Sequence, residues 1–269
     1  MPTWLEFVVG YAVYLTAVAW SDRRFLRARG PALAVLGASL AVGIGWPWIE
    51  AGPAPVPLVA WVAVPGIFVL GTYRVSGAFF VTPNLALERW LLRLDATALI
   101  DTGLLRAYSG VKAMRSTFEL LYLLVYAMVP VGAAVLATTG QAGWLPRYWA
   151  VVFAAELTCY ATLPWLQTRP PRTIEAAPAV ASVDALRQLN LAVLERGSIQ
   201  VNTLPSAHAA GAIALALVIV EALPAIGGGF LAIAIGITVA TVLGRYHYLV
   251  DAVLGVLVAG VAWLLVGSG

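Results

Sequence analysis

Charge is scarce in this chain. Only 11% of its 269 residues are Asp, Glu, Lys or Arg, against about 25% in an average soluble domain. That excludes an ordinary water-exposed surface. The net charge is only +3, and the arginines cluster in loops between apolar runs, which excludes a nucleic-acid-binding face. Cysteine is limited to Cys159, alone inside an apolar run, so there is no disulfide framework. Histidine is limited to His208 and His247, too few with one cysteine for the several ligands that zinc wants. The acidic residues are scattered, so no set of neighbouring carboxylates is laid out for Mg²⁺. No P-loop is present. The expectation is a protein without a metal site or cofactor.

What the chain has instead is apolar length. It is 61% hydrophobic, with a mean hydropathy of +0.89. Apolar runs fall at roughly 4–20, 31–49, 55–72, 117–138, 147–166, 205–222, 225–243 and 247–266, each near the ~20 residues that a spanning helix needs. Because only helices and closed barrels satisfy their backbone in lipid, the fold class is all-α, a polytopic bundle of about eight transmembrane helices. Arg23, Arg24, Arg27 and Arg29 follow the first run and no basic residue precedes it. This flank predicts a retained anchor rather than a cleaved signal, despite Ala17-Val18-Ala19. Those arginines and Arg74, Arg89, Arg93, Arg106, Lys112 and Arg115 share one side of the membrane, with little but Arg147 opposite. The positive-inside rule makes that side cytoplasmic, in a cell membrane, with the N-terminus outside. Trp4, Trp20, Trp46, Trp48, Trp144, Trp149 and Trp263 lie near run ends, where indoles suit the headgroup zone.

Two stretches read as non-spanning helices. Over 84–109, Asn84 is an N-cap, and Leu87, Trp90, Leu91 and Leu94 follow at helical spacing. This predicts either an interfacial amphipathic helix or a connector packed on the bundle. Over 181–196, Val183, Leu186, Leu189 and Val193 form a stripe that Gly197 ends, a candidate lid.

The polar stretches that carry chemistry are Arg169-Pro170-Pro171-Arg172, Leu204-Pro205-Ser206-Ala207-His208, and Gly244-Arg245-Tyr246-His247 with Asp251. His247 and Asp251 are four apart, one helical turn, so a carboxylate can hold the imidazole Nδ1–H and leave Nε2 as a nucleophile. Arg169, Arg172 and Arg245 offer forked donors suited to phosphate oxygens. Ser206 and the backbone N–H groups at a helix start add neutral donors.

In order and content these stretches resemble the type 2 phosphatidic acid phosphatase superfamily. The form His247-Tyr248-x-x-Asp251 is most similar to its inositolphosphorylceramide and sphingomyelin synthase branch. The resemblance covers about 160–255. It implies a six-helix catalytic core over 55–269, with motifs at 169–172, 204–208 and 245–251, preceded by extra helices over 1–54. It also implies that His247 attacks phosphorus, that His208 is the general acid and base, and that Arg169, Arg172, Ser206 and Arg245 bind phosphate. The chain departs from the family pattern in three places. Thr162 stands seven residues before Arg169, where a lysine is usual. Thr241 stands six before His247, where the classical lipid phosphatases have their arginine. Ala207 replaces the commonest glycine.

The expected activity is hydrolysis of a lipid phosphate ester, of the phosphatidic acid, phosphatidylglycerol phosphate or polyprenyl phosphate type, in the bilayer. A phosphotransferase that uses a polyol such as inositol as acceptor shares the first half-reaction. The clustered-Asp pattern of CDP-alcohol phosphotransferases is missing. A non-catalytic lipid carrier is the third reading and makes both histidines dispensable. Glu119 and Glu156 belong to no motif. Tyr122 and Tyr126 are placed either in the core or along a lipid cleft.

Overall fold

A computed structural model describes residues 1–174 and 184–267. Its helices run in the order α1 (Thr3–Ser21), α2 (Arg29–Glu50), α3 (Val56–Gly77), α4 (Leu85–Asp95), α5 (Leu104–Gly110), α6 (Lys112–Thr138), α7 (Leu145–Ala161), α8 (Ala185–Gly197), α9 (Ala207–Ala222), α10 (Pro224–Leu243) and α11 (Leu249–Leu265). Among the described residues there is no sheet, only an isolated antiparallel bridge between Thr168 and Asn202.

Each of the eight apolar runs is a helix. Five segments are long and apolar enough to cross a membrane: α1, the Arg23–Glu50 stretch containing α2, α3, α6 and α10. This is an integral membrane protein. The apolar helices α9 and α11 are shorter, with 16 and 17 residues, or about 24–26 Å at 1.5 Å per residue. Compared with the sequence runs, α7 stops early, at Ala161, and α9 and α11 start late, at Ala207 and Leu249. All three shortfalls fall at the ends that carry motifs, so the polar residues are recessed within the bundle.

Helix α9 is the axis. Small residues on every side, among them Ala209, Ala210, Gly211, Ala214 and Ala216, are buried, and α6, α7, α10 and α11 pack around it. Small side chains let backbones approach closely where apolar burial itself gains little against lipid. One close approach is at Gly255 of α11, where a Cβ would sit 2.5 Å from the Ser206 carbonyl oxygen. That contact seats α11 against the start of α9.

The N-terminal helices are part of the same core. Trp4 stacks on Phe153 of α7 with ring centroids 5.5 Å apart and meets Trp46 edge-on at 5.6 Å. Tyr14 donates to the Ala161 carbonyl at 2.6 Å. The tryptophan expectation therefore divides. Trp20 and Trp48 are exposed, as interfacial anchors would be, but Trp4, Trp46 and Trp149 are buried. A run end faces a headgroup only on the helix's outer side, and sequence position does not reveal that side. Arg147 pairs with Glu221 at 3.0 Å at the opposite end of the bundle from the motifs.

Both non-spanning stretches are helical, 84–109 as α4 and α5 in succession and the second as α8, with the expected Asn84 cap on the first and an Asp184 cap on the second. Asn84 accepts from Leu87 N and Asp184 from Arg187 N. Their buried faces differ from the apolar stripes. Helix α4 buries Glu88, Leu91 and Asp95 and leaves Trp90 and Leu94 exposed. Helix α8 buries Arg187, Asn190 and Leu194 and exposes Leu189. Val183 of the expected stripe lies outside the described residues. Both helices turn charged or amide groups toward buried partners beside one buried leucine each and leave other apolar groups outward, because the bundle end they cover is itself polar.

Candidate active site

The centre is the turn between α10 and α11. The carbonyl of Thr241 accepts from the backbone N–H groups of both Tyr246 and His247, at 2.8 and 2.9 Å. Thr241 occupies the position where the resemblance puts an arginine, and it serves through its backbone. Arg245 adopts a left-handed conformation, φ 61°, which reverses the chain tightly. His247 is 7% exposed. Its Nδ1 lies 3.5 Å from Asp251 Oδ2, aimed as expected but longer than a formed hydrogen bond. The same Oδ2 accepts from Asn202 Nδ2 at 2.8 Å and from Tyr248 N at 3.1 Å. Among the described residues, His247 Nδ1 has no hydrogen-bond partner. A shift of a few tenths of an ångström would give it one, and catalytic hydrogen bonds often tighten only when substrate binds.

His208 is in the first turn of α9, its ring centroid 5.5 Å from that of His247 and the planes at 75°. The two imidazoles and Arg172 line one small cavity with Tyr73, Tyr122 and Tyr160. Its volume is about 20 Å³, room for about one water, so admitting a phosphate group requires the wall to move. Tyr122 belongs to this wall, stacked on Tyr246 with centroids 3.7 Å apart. Tyr126 is 6.0 Å from the His208 ring. Arg172 lies over the Tyr246 ring at 5.6 Å, and its backbone N–H donates to the Arg245 carbonyl at 3.0 Å.

The other expected ligands are placed differently. Arg169 is outside the cavity wall, where its Nε and Nη2 form a fork on Glu88 at 3.0 and 2.8 Å. Arg245 is 3% exposed and pairs with Asp95 at 2.7 Å. Ser206 is fully buried, and its hydroxyl caps α9 by accepting from Ala209 N at 3.3 Å. Its backbone N–H is held by the Asp251 carbonyl at 2.9 Å. Thr162, in the position of the family's lysine, donates to the Leu204 carbonyl at 2.7 Å. Of the seven expected site residues, His208, His247 and Arg172 share the cavity. Asp251 stands behind His247, while Arg169, Arg245 and Ser206 hold the surrounding segments.

Three polar residues went unnoticed in the sequence. Asn202 joins Asp251 to Thr168, donating to the Thr168 hydroxyl at 3.0 Å. Glu88 and Asp95 hold Arg169 and Arg245. Asn202 is only six residues before His208, a faint signal. Glu88 and Asp95 have the two-turn spacing of one helix face, but nothing local distinguishes them from surface charges.

The candidate lid is fastened firmly. Glu119 accepts from Arg187 at 2.9 Å, and from Asn190 Nδ2 and the Tyr246 hydroxyl. Arg187 also donates to the Gly244 carbonyl at 2.7 Å. Helix α8 is thereby tied to the His247 turn, and its Leu194 touches the cavity. Glu156 is elsewhere, buried against Gly211, with the Tyr160 hydroxyl 3.4 Å away. Among the described residues no three His, Cys, Asp or Glu side chains converge as a metal site would require.

Burial, followed by the charge of Arg172, pushes the His247 pKa down to about 3, so the imidazole is neutral at neutral pH. At Glu88, burial works against the charge, but the hydrogen bonds and charge of Arg169 outweigh it and hold the carboxyl below its ordinary range. Burial pushes the Arg172 guanidinium down, as expected of a cation without a carboxylate partner among the described residues.

A stability consequence follows for His247. Its folded pKa is below the unfolded value of about 6.5, so between the two the unfolded chain binds more protons. Stability is present above pH 6.5 and is lost as pH falls toward 3, by at most about 1.4 kcal/mol per pH unit for this group. Thermal melting of the detergent-solubilised protein from pH 7 to 4 is expected to show this loss, and His247→Gln is expected to weaken it. An equal acid slope in the two proteins would assign the loss to other groups.

A family model described as the PAP2 superfamily matches residues 89–265, a span that contains Asp95, both histidines and all three motifs. No curated protein and no solved structure matches the chain.

Proposed function

The chain belongs to the PAP2 superfamily, and from that membership we propose that it is a lipid phosphatase acting through a phosphohistidine on His247. The observation that carries the reading is one small cavity holding His247, His208 and Arg172, recessed in a membrane bundle. With Asp251 behind Nδ1, the proton stays on that nitrogen and the Nε2 lone pair attacks phosphorus. The bond from phosphorus to the leaving alkoxide breaks, and His208, entering this step as the imidazolium, delivers its proton to that oxygen and becomes neutral. His208 then takes a proton from water, whose oxygen attacks phosphorus. The P–N bond breaks, inorganic phosphate leaves, and both imidazoles are restored. Arg172 neutralises charge on the equatorial oxygens, the main requirement of phosphoryl transfer. Arg169 and Arg245 act one step back, through the segments they anchor. The catalytic bundle is assigned to 55–269, with α1 and α2 as an added pair. No step calls for a metal ion.

The motifs lie at the same end as the arginine-rich segments. Phe25, among the first arginines, packs on Phe79 at 5.3 Å, and Arg169 pairs with α4. The positive-inside rule makes that end cytoplasmic. The substrate is a lipid phosphate whose tail stays in the bilayer.

The His247-Tyr248-x-x-Asp251 form favours a second reading, transfer to a polyol, as in the synthase branch. One assay separates the two: phosphate release from phosphatidic acid, phosphatidylglycerol phosphate and polyprenyl phosphates in detergent with EDTA, with and without inositol. Free phosphate without inositol is the expected result. Loss of lipid phosphate only with inositol, and no free phosphate, would make the protein a transferase. No turnover of any lipid, or activity abolished by EDTA, would overturn the reading.

A further inference from the structure

We propose that Asp95, outside all three motifs, is a positioning residue for His247, acting as a bracket across the turn that carries it. Its Oδ2 accepts from Arg245 Nη1 at 2.7 Å, two residues before His247. Its Oδ1 accepts from the backbone N–H of Leu249 at 3.0 Å, two residues after. One carboxylate therefore closes the turn from both ends. The side chain is fully buried, and α4 touches α11, so the bracket is part of the packed bundle rather than a surface ion pair.

The turn has reason to need it. Arg245 holds a left-handed backbone conformation, φ 61°, which is unfavourable for a side-chain-bearing residue and persists only where its surroundings enforce it. The carbonyl of that same residue holds Arg172 N at 3.0 Å. Fixing Arg245 thus fixes the nucleophile's turn and the backbone of the cavity arginine together. Glu88, two turns earlier on the same face of α4, does the parallel task for the first motif through Arg169. The helix is an acidic brace for two motifs that are remote from each other in sequence.

An amide cannot replace this carboxylate. Asn has one acceptor oxygen, so in Asp95→Asn either Arg245 or Leu249 faces an NH₂ group. The inference rests on the phosphatase reading for its kinetic consequence but not for its structural one, and the test has an arm for each. In Asp95→Asn, kcat on a lipid phosphate is expected to fall about 10²-fold, the scale of a displaced reacting group, with a smaller rise in KM because the Arg172 side chain is retained while its backbone anchor loosens. The chain has only two histidines, so ¹⁵N-histidine NMR resolves both imidazoles, with His247→Gln giving the assignment. The His247 signals are expected to shift or broaden while those of His208 stay in place, and Asp95→Glu is expected to restore part of the wild-type pattern. Unchanged His247 signals in folded Asp95→Asn would overturn the proposal. So would joint displacement of both histidines with a lowered melting temperature, or failure of both variants to fold, since each makes Asp95 a general structural residue. If the wild type turns over no lipid phosphate, the phosphatase reading fails and the NMR arm alone decides.

Discussion

Alanine at position 247 is expected to reduce phosphate release from lipid phosphates to background, a loss of about 10⁴-fold or more, the scale seen when a covalent nucleophile is removed. His247 is the imidazole with a carboxylate behind it, Asp251 Oδ2 at 3.5 Å from Nδ1. In the proposed mechanism that carboxylate keeps the proton on Nδ1 and leaves Nε2 as the attacking nitrogen. Among the described residues His208 has no such backing; its ring neighbours are Tyr122, Tyr126 and His247. His208 is therefore assigned the proton-transfer role, and His208→Ala is expected to slow the reaction while still permitting a phosphoenzyme with an activated substrate. Rapid quench with ³²P-labelled lipid distinguishes the roles. Acid-labile label on His208→Ala but not on His247→Ala supports them, and the reverse would exchange them. Undiminished turnover by His247→Ala would remove the covalent mechanism altogether and raise the carrier reading.

The next largest effect is expected at Arg172. Arg172→Ala should lower kcat/KM by about 10²–10³-fold, the cost of losing one preorganised donor to developing charge. It is the arginine of the cavity wall, whereas Arg169 and Arg245 are engaged by Glu88 and Asp95. Arg172→Lys keeps the charge and loses the planar fork, so it should recover only part of the loss. Arg169→Ala removes a fork partly open to solvent and should cost less than Arg172→Ala, with a larger share in stability. Measured kcat/KM for the three variants, beside their melting temperatures, checks this order. A larger activity loss in folded Arg169→Ala than in Arg172→Ala would move the phosphate to the first-motif arginine.

The sequence by itself determined a great deal here. Apolar runs set the number and places of the eight long helices, because a backbone in lipid has almost no alternative to helix. Rarity marked His208 and His247, since a chain with so little charge retains few ionisable groups near its apolar segments. The four-residue spacing of His247 and Asp251 survives as a real approach because it is local, although His247 lies in the turn before the Tyr248 cap rather than on α11 itself. Tertiary structure decided the rest. Of three equivalent-looking arginines, one reached the cavity and two met carboxylates, and the choice was made by α4, whose Glu88 and Asp95 are 81 and 150 residues from their partners in the chain. The buried faces of α4 and α8 departed from their hydrophobic stripes for the same reason, with Leu91 buried but Trp90, Leu94 and Leu189 exposed. Periodicity reports which side of a helix is apolar, but which side is buried depends on what it meets. At this end of the bundle it meets arginines, a glutamate and the turn that carries His247.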